Sequence, residues 1–479
     1  MVVLPRDAEQ LDPRFVGDPY GLKVTRLLFA SLVTIDPRTL EVIPDLAEVI
    51  DIESPTRYRA RLRAGLRFSD GSALDSEDVI ATFRSVTDPA LGSRYARTYE
   101  RIVHMSAPDS RTVVFELSAA HATFLTDLEL PVMRAEDAER QVGGPDGPPP
   151  IGAGPYRLAE RQPGVMALEP NPFWYRGRPR FERVRFIVVR DDNTRALRLL
   201  AGSADLAVDA VPPLLIPMFE SDPRFEVESA PGVGTTYIGF NLQVPALSDL
   251  RVRRAIAHAI NRQLLVDAKL GGRASLARGW VPPGHWAYEA DVPTYDYDPE
   301  RARRLLDEAG LADPPGPDPR LVLTLRTSTD RFRLSVARAM AAMLARVGVE
   351  VDVRPSEAAT LIADLNKGRF EMTLLQVPEV FEPHVLSWFF ASDRIPEQGV
   401  TEGANRWRFR HARFDAALER GRASHVRQER RAAYSEVQRI LATQLPVVPL
   451  WHEDVVAVLG ARAAGYDVPR DGRLGTLAR

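Results

Sequence analysis

The sequence predicts an α/β protein with more than one lobe. Its 479 residues correspond to about three domains of ~150 residues each. Runs of β-branched or alternating apolar residues, typical of strands, alternate along the chain with amphipathic segments typical of helices. Gly/Pro-rich breaks at 140–150 and 311–320 separate blocks of these elements. Strands mixed with helices throughout a chain of this length favour the α/β class.

The first well-marked elements follow one another near the N-terminus. Residues 57–62 alternate apolar side chains with arginines, which predicts a strand with one apolar face. The Asp70-Gly71 pair is a turn signal. Asp75 and Asp78 have the spacing of a capping box, so a helix is expected to begin there. The carboxylates of this stretch are therefore interpreted as caps rather than as reactive groups.

Further elements follow toward the C-terminus. The strand-like runs are 180–189 and 320–326, and the helical segments are 248–272, 297–310 and 333–347. Ser248 or Asp249 can cap the first of these helices, and Asp298 is the expected N-cap of the second. Gly348 is expected to end the third helix before a strand that reaches residue 353.

The composition excludes several classes of protein. The chain has no cysteine, so disulfides, zinc-thiolate sites and cysteine nucleophiles are excluded. A net charge of −3 gives no electrostatic reason to expect nucleic-acid binding. No apolar run approaches the length of a transmembrane helix, and the first residues lack the pattern of a signal peptide. The protein is therefore expected to be cytoplasmic or to have lost its export signal.

No catalytic, metal or cofactor site is predicted. The chain lacks GxSxG, HExxH and phosphate-loop motifs, and its eight histidines show no ligand spacing. An enzyme would need a nucleophile with a base, or a carboxylate pair, and neither pattern is present. A binding function is favoured over catalysis.

Motifs in order along almost the whole chain carry a family resemblance. They are LDPR (11–14), LFASLVTIDPRTLEVIPDLAE (28–48), FSDGSALDSEDVIATFRS (68–85), IGAGPYRL (151–158), EPNPFWYRGRPRFERVRF (169–186), LLAGSADLAV (199–208), IGFNLQVPALSDLRVRRAIAHAINRQLLV (238–266), VPPGHWAY (281–288), YDPERARRLLDEAG (297–310) and LPVVPLWHEDVVAV (445–458). In this order they resemble the family 5 extracytoplasmic solute-binding proteins, the oligopeptide- and dipeptide-binding components of ABC transporters.

The resemblance implies a bilobed periplasmic-binding-protein-like fold, type II-like and of cluster C, with a hinge between the lobes. Lobe I would be discontinuous, formed by 1–48, 150–238 and 445–479. A subdomain at 49–149 would be inserted into it, and lobe II would span 239–444. Hinge closure around a ligand in the cleft between the lobes is the expected motion.

The resemblance also implies a function and partners. The protein would capture small peptides and deliver them to an ABC import permease with its ATPase subunits. It would work as a monomer in the periplasm or on the outer face of the cytoplasmic membrane, without nucleic acid. Peptide backbone groups would pair with strand edges, and side chains would enter hydrated pockets.

One acidic residue is the predicted anchor for the ligand's ammonium group. Peptide binders of this family place an acid in a segment similar to W-x-x-D-x-x-(D/E)-P, which LLQVPEVFEPHVLSWFF (374–390) resembles. Glu379 then occupies the acid position. The segment departs from the pattern because Glu replaces Asp and Pro378 precedes it, so Glu379 as a solvated loop carboxylate stays open as an alternative.

Five further residues are candidate ligand contacts. Arg326 ends a predicted strand, where α/β clefts tend to open, and could pair with a carboxylate. The aromatic residues Phe381, Trp388, Trp407 and Tyr237 are candidate pocket walls. A surface position for the arginine and core positions for the aromatics are the alternatives.

Two other functions remain open from the sequence. The same transport role could serve a non-peptide solute, such as an oligosaccharide, an opine, a nickel chelate or haem, and a nickel binder could use His384 or His411. The fold also occurs fused to DNA-binding domains in cytoplasmic regulators, but no helix-turn-helix fits before residue 11.

Overall fold

The computed structural model describes residues 1–144, 147–377, 379–396 and 403–479. The strands in these ranges are β1 Val2–Leu4, β2 Val33–Ile35, β3 Val42–Pro44, β4 Ala47–Ser54, β5 Arg57–Leu62, β6 Ile102–Asp109, β7 Thr112–Leu117, β8 Tyr156–Gln162, β9 Val165–Pro170, β10 Val184–Val188, β11 Leu206–Val208, β12 Phe225–Ala230, β13 Thr235–Phe240, β14 Ala274–Leu276, β15 Leu321–Ser328, β16 Val349–Ser356, β17 Met372–Val377, β18 Val447–Glu453 and β19 Val455–Gly460.

The α-helices are α1 Pro19–Leu28, α2 Ser76–Thr87, α3 Ala96–Tyr99, α4 Phe124–Asp127, α5 Ala135–Ala138, α6 Asp192–Leu200, α7 Ile216–Glu220, α8 Pro245–Ser248, α9 Leu250–Ala259, α10 Arg262–Leu270, α11 Pro299–Glu308, α12 Arg331–Ala345, α13 Ala358–Asn366, α14 Val385–Phe390, α15 Ala412–Ala423 and α16 Arg427–Gln444. Short 3-10 turns lie at Pro213–Leu215, Ser392–Arg394, Ala461–Ala463 and Gly475–Ala478. None of the helices in the described ranges combines the length and apolar character that a bilayer crossing requires.

The chain divides into two compact units. Unit 1 comprises Met1–Ala230 with Val455–Arg479, and unit 2 comprises Pro231–Asp454. The sequence instead predicted that the chain crosses from one lobe to the other near residues 238 and 445. The difference has a physical reason: β13 and β18 pair with each other inside the sheet of unit 2, so both strands belong to that unit in full.

Unit 1 contains two main sheets and a small hairpin. Its seven-stranded sheet has the order β12-β19-β11-β1-β10-β9-β8, and its four-stranded sheet has the order β4-β5-β7-β6. Strands β2 and β3 form the hairpin. Each sheet has its own apolar core. The apolar face of β5 is buried with Phe83 and Phe115, whereas β1 and β10 pack beside α1. The four-stranded sheet lies within the predicted insertion at 49–149 except for the first residues of β4.

Unit 2 is built around one six-stranded sheet with the order β14-β18-β13-β17-β15-β16. Strands β15, β16 and β17 are parallel, and β13 is antiparallel to both of its neighbours, β17 and β18. Consequently β15, β17 and β18 end at the same edge of the sheet. Apolar helices cover both faces, with α9, α10 and α12 on one and α13, α15 and α16 on the other.

Local sequence signals specify several element ends. Asp75 and Asp78 form the predicted capping box of α2, in which the Asp75 amide donates to the Asp78 carboxylate at 3.0 Å. Asp298 caps α11 by accepting from the Arg301 amide at 2.8 Å. Gly348 ends the helical segment with φ = +82°, a conformation that side chains rarely adopt.

The continuous helix predicted over 248–272 is wrong in one respect. The segment forms two helices, α9 and α10, each begun by a capping side chain, and only its first residue, Ser248, belongs to α8. Asp249 begins α9 by accepting from the Arg251 amide at 2.8 Å, and Asn261 begins α10 by accepting from the Leu264 amide at 2.9 Å. Capping residues satisfy the unpaired amides of a helix start, so each can begin a helix inside an apolar-periodic run.

Candidate ligand-binding sites

A cavity in unit 2 opens where β15, β17 and β18 end. Its volume is about 210 Å³. In α/β sheets, ligands bind outside the carboxyl ends of the strands. The lining residues are Thr236, Asp330, Phe332, Arg333, Val336, Leu374, Gln376, Trp451 and Glu453. All of them belong to unit 2, and they combine an apolar floor with charged groups of both signs.

Hydrogen bonds fix the polar walls of this unit 2 cavity. The Arg333 Nη2 donates to Gln376 Oε1 at 3.0 Å. The negatively charged wall is formed by Glu453. Its Oε1 accepts hydrogen bonds from Thr236 Oγ1 at 2.9 Å and from Trp451 Nε1 at 3.1 Å. Since Thr236 and Gln376 are directly paired on β13 and β17, the strands themselves position both walls.

Glu379, the predicted ammonium anchor, lies two residues beyond β17 and is half-buried. Pro378, which precedes it, lies outside the described residues. The loop that follows is held firmly to the rest of unit 2. Arg430 donates to Glu382 at 2.6 Å, and the Phe381 carbonyl is 2.8 Å from His285 Nε2. This loop therefore begins at the same sheet edge as the unit 2 cavity.

The four predicted aromatic contacts fall into two groups. Phe381 is half-buried, and Trp388 is 42% exposed with the Arg394 guanidinium 5.9 Å from its ring centre. Tyr237 and Trp407, by contrast, lie in the core at 1% and 0% exposure, with ring centres 5.6 Å apart. A core position was the alternative that the sequence left open for Tyr237 and Trp407. Other residues must therefore form an exposed wall of the ligand pocket.

Burial also affects the chemistry of the Tyr237 hydroxyl. Desolvation raises the pKa of Tyr237 above its ordinary value, and the charges of Arg406 and Arg333 partly oppose that rise. The phenol is therefore neutral near pH 7 and acts as a neutral hydrogen-bonding group.

Arg326 has a structural partner instead of an open guanidinium. Its Nη1 is 2.8 Å from the Asp364 carboxylate and also donates to the Arg369 carbonyl at 2.8 Å. Arg369 pairs with the same carboxylate, and its hydrogen bond holds the pKa of Asp364 below the ordinary value. The expected role in binding a ligand carboxylate is thus already occupied by a protein carboxylate.

The two histidines proposed for a nickel chelate serve local contacts. His384 Nδ1 is 3.2 Å from the Tyr434 hydroxyl, and His411 accepts from the Phe414 amide at 3.2 Å at the start of α15. Within the described parts of the chain, no group of three metal-binding side chains comes together.

A second cavity, of about 350 Å³, lies in unit 1. Apolar and aromatic side chains form much of its wall, among them Val16, Leu22, Phe29, Ile35, Tyr95 and Trp174. Its charged residues largely pair with one another. Arg176 is 2.7 Å from Asp45, and Arg473 contacts Glu129 at 3.2 Å.

Burial shifts the pKa of one acid in the unit 1 cavity. Desolvation raises the pKa of Asp127, while a hydrogen bond from His121 acts in the opposite direction. The His121 ring nitrogen lies 3.5 Å from the carboxylate. Asp127 is thus the acid of this cavity that burial shifts toward its neutral form.

Sequence reasoning missed Arg333, Gln376 and Glu453. The predicted helix began at residue 333, but α12 begins at Arg331 because Asp330 caps it by accepting from the Arg333 amide at 2.9 Å. An acidic cap directly after a strand was the available signal, since it places the first helical turn at the carboxyl edge of the sheet. No local signal relates these three residues, because only the sheet brings them together.

Known proteins resemble this chain over nearly its whole length. The model of the bacterial extracellular solute-binding proteins, family 5, matches residues 41–395. A probable di/tripeptide-binding protein 5 of Pseudomonas aeruginosa is 28% identical, covering 93% of this chain and 88% of the relative. The peptide transport periplasmic protein SapA of Salmonella typhimurium is also 28% identical, covering 92% and 83%.

Solved structures share the fold. The oligopeptide-binding protein AppA of Bacillus subtilis, in complex with a nonapeptide, superposes with a TM-score of 0.82 at 22% identity, covering 100% of this chain and 97% of that one. NikA of Brucella suis, in complex with Fe(III)-EDTA, gives a TM-score of 0.89 at 23% identity, covering 99% and 98%. At these identities the likeness concerns the fold alone, and it bears out the predicted periplasmic-binding-protein class.

Proposed function

Since the chain belongs to family 5 of the bacterial extracellular solute-binding proteins, we propose that it binds small peptides for an ABC importer. The family consists of binding proteins for transport, so the chain is a binding protein rather than an enzyme. The single observation that carries the peptide proposal is the match over nine-tenths of the chain to a di/tripeptide-binding protein.

The unit 2 sheet edge supports this proposal chemically. An extended peptide offers amide groups along its length, an ammonium at one end and a carboxylate at the other. Glu379, just beyond β17, supplies an acid for the ammonium, and Phe381 and Trp388 supply apolar surface nearby in the chain. We propose Glu379 as the ammonium anchor, with Phe381 and Trp388 as contacts.

The same proposal includes a transport partner and a cellular compartment. The protein would deliver its ligand to an ABC permease with ATPase subunits, acting as a monomer outside the cytoplasmic membrane. The name of the relative SapA places that protein in the periplasm. Closure of two lobes around the ligand stays a prediction of the family resemblance.

A second candidate ligand class is a non-peptide solute, such as an oligosaccharide, an opine, a nickel chelate or haem. Two structural neighbours favour it, because NikA was solved with Fe(III)-EDTA and AgaA of Agrobacterium tumefaciens with agropinic acid. The substitution of Glu for Asp at the anchor position leaves this class open as well, since the longer side chain changes the space available to an ammonium group.

Isothermal titration separates the two classes. Purified protein, unfolded and refolded to remove ligand, is titrated with di- and tripeptides, with Fe(III)-EDTA and with agropinic acid. We expect saturable binding of peptides in the micromolar range or tighter. Saturable binding of one of the other two solutes, with no heat from peptides, would contradict the peptide proposal and support the second class.

A further inference from the structure

We infer that Arg430, on α16, positions the loop at 379–384 and thereby holds the Glu379 carboxylate where the ligand's ammonium group meets it. Arg430 acts through the loop and not on the ligand, so it is a positioning residue. The inference rests on the proposed function, in which Glu379 is the ammonium anchor, and adds to it the contacts that keep this acid in place. All of the residues involved belong to unit 2.

The loop at 379–384 has no regular secondary structure of its own. It follows β17, which ends at Val377, and precedes α14, which begins at Val385. A binding group on a loop is placed less precisely than one on a strand or helix, unless packing and hydrogen bonds from outside fix the backbone. The position of the Glu379 carboxylate therefore depends on what holds this loop to unit 2.

An ion pair between Arg430 and Glu382 ties the loop to α16. The Arg430 Nη2 donates to Glu382 Oε1 at 2.6 Å, and the two side chains are only 12% and 17% exposed. The His384 amide donates to the same oxygen at 3.1 Å, so Glu382 also braces the turn of its own loop. A hydrogen-bonded ion pair that is largely withdrawn from water is costly to break, because the remaining charge loses its partner. This pair is thus a firm attachment point three residues after Glu379.

Other contacts restrict the orientation of the Arg430 guanidinium. Its carbon lies 5.1 Å from the ring centre of Trp286 and 5.6 Å from that of Tyr434, at the distances of cation–π contacts. Its Nε donates to the Gly421 carbonyl at 3.0 Å. With the two rings and the Nε hydrogen bond in place, Nη2 is directed at the Glu382 carboxylate. These contacts use the planar fork of a guanidinium, which a lysine ammonium cannot replace in full.

The backbone between Glu379 and the ion pair is short and is fixed by two further contacts. Val380 is completely buried in the apolar core of unit 2. The His285 Nδ1 accepts from the Ala287 amide at 3.1 Å, so its Nε2 carries the ring proton and donates to the Phe381 carbonyl at 2.8 Å. The ion pair holds the far end of this segment, so its loss is expected to displace the Glu379 carboxylate.

The Arg430 pair differs in its burial from an ion-pair cluster on the same helix. Glu436 pairs with Arg413 and Arg420, and both of these arginines are mostly exposed. Surface pairs contribute little to stability, because solvent screens them and two long side chains must be ordered. A buried pair that lies against two aromatic rings and reaches a binding loop therefore points to a role beyond joining two helices.

The test compares variants of the full chain. Arg430→Met removes the charge and keeps the aliphatic stem, and Arg430→Lys keeps the charge without the planar fork. Arg431→Met is the matched control, because Arg431 is the next residue of α16 and is exposed. Glu379→Ala and the double variant Glu379→Ala/Arg430→Met complete a double-mutant cycle.

Two probes separate recognition of the ammonium group from the rest of binding. Native mass spectrometry first identifies the tripeptide that the wild type retains best from a mixture of neutral tripeptides with free ammonium groups. That tripeptide and its N-acetyl derivative, which lacks the ammonium charge, are then titrated into each variant. Thermal midpoints are recorded in parallel.

We expect the wild type and Arg431→Met to bind the free tripeptide at least about tenfold more tightly than its N-acetyl derivative. Arg430→Met should lose at least about tenfold in affinity for the free tripeptide and keep its affinity for the derivative, and Arg430→Lys should recover part of the loss. In the Glu379→Ala background, Arg430→Met should change the affinity by less than about twofold, because no carboxylate is left to position.

Three results would overturn the inference, and they differ in how far they reach. If Arg430→Met keeps the discrimination of the wild type, or lowers both affinities equally with and without Glu379, Arg430 has a structural role only and the ammonium anchor stands. If Glu379→Ala binds the free tripeptide as tightly as the wild type, the anchor fails and this inference fails with it. If the wild type retains no tripeptide, the peptide proposal itself fails. Should Arg430→Met not fold, as judged by its thermal midpoint, Glu382→Gln removes the partner charge at nearly constant size and is judged in the same way.

Discussion

At the scale of single residues, Glu379 carries the proposed recognition of the ligand's ammonium group. Replacing it by alanine should weaken peptide binding by about 2–5 kcal/mol, because the ammonium would lose its ionic partner in a partly desolvated site. Isothermal titration of wild-type and variant protein with one tripeptide measures this loss. Glu350→Ala, on the exposed side of β16, serves as the control. Equal affinity in Glu379→Ala would show that this carboxylate does not hold the ligand's ammonium group.

Asp127 should give the unfolding free energy a pH dependence of known sign. Burial raises the pKa of its carboxyl above 3.8 in the folded state, so the folded protein holds this proton more strongly than the unfolded chain. Below pH 3.8 the group is neutral in both states. As the pH rises through the raised pKa, the folded state alone must bury a charge, and stability falls.

Asp127→Asn removes that charge at nearly constant size. Its stability relative to wild type should therefore rise as the pH increases from 3.8 through the raised pKa of Asp127, as measured by urea unfolding at several pH values. A constant difference between the two proteins across that range would show that Asp127 is not destabilised by burial.

At the scale of secondary-structure elements, contact between β13 and Trp407 determines how tightly one face of the unit 2 sheet packs. Gly239 lies on β13, and a Cβ at this position would overlap the Trp407 ring. Gly239→Ala should lower the free energy of unfolding by about 1–3 kcal/mol, because the buried indole cannot move without disturbing Tyr237 and Phe390.

Gly279→Ala is the matched control for this substitution. A Cβ at Gly279 meets no atom within 4 Å. Urea unfolding should show little change for this variant, so a difference between the two alanines isolates the contact with Trp407. Equal stabilities would mean that the indole relaxes at no cost.

Local elements were predictable because their signals are local. The alternation of 57–62, the capping box of α2 and the stop at Gly348 each depend on residues a few positions apart. The division of 248–272 was not predicted, since Asn261 can be either an interior helix residue or a cap, and only the backbone path decides.

The candidate site was predictable only where a family motif reaches it. Glu379 was identified from its distance to Pro383, a relation along the chain. The strand order in the sheet brings together Arg333, Gln376 and Glu453. Local patterns in a single sequence do not reveal that order. Tyr237 and Trp407 were candidates for the ligand site, with the core as the alternative, because aromatic residues serve equally well in cores and in pocket walls.

At the scale of the whole molecule, ligand binding should stabilise the folded protein. A ligand that binds only the folded state at a concentration of 100 times its Kd adds about 2.7 kcal/mol to the free energy of unfolding. Differential scanning fluorimetry with a bound tripeptide should therefore show a rise in Tm that increases with peptide concentration. A Tm independent of peptide concentration would argue against specific binding to the native state.

Native mass spectrometry of the freshly purified protein tests the central claim, peptide capture, most directly. Mild activation in the spectrometer releases the bound molecules, and their masses and fragmentation identify them. If the protein captures peptides, the released molecules form a set of masses that fragment into amino-acid residues. A single defined non-peptide mass on the folded protein would contradict that claim and move the ligand to the second class.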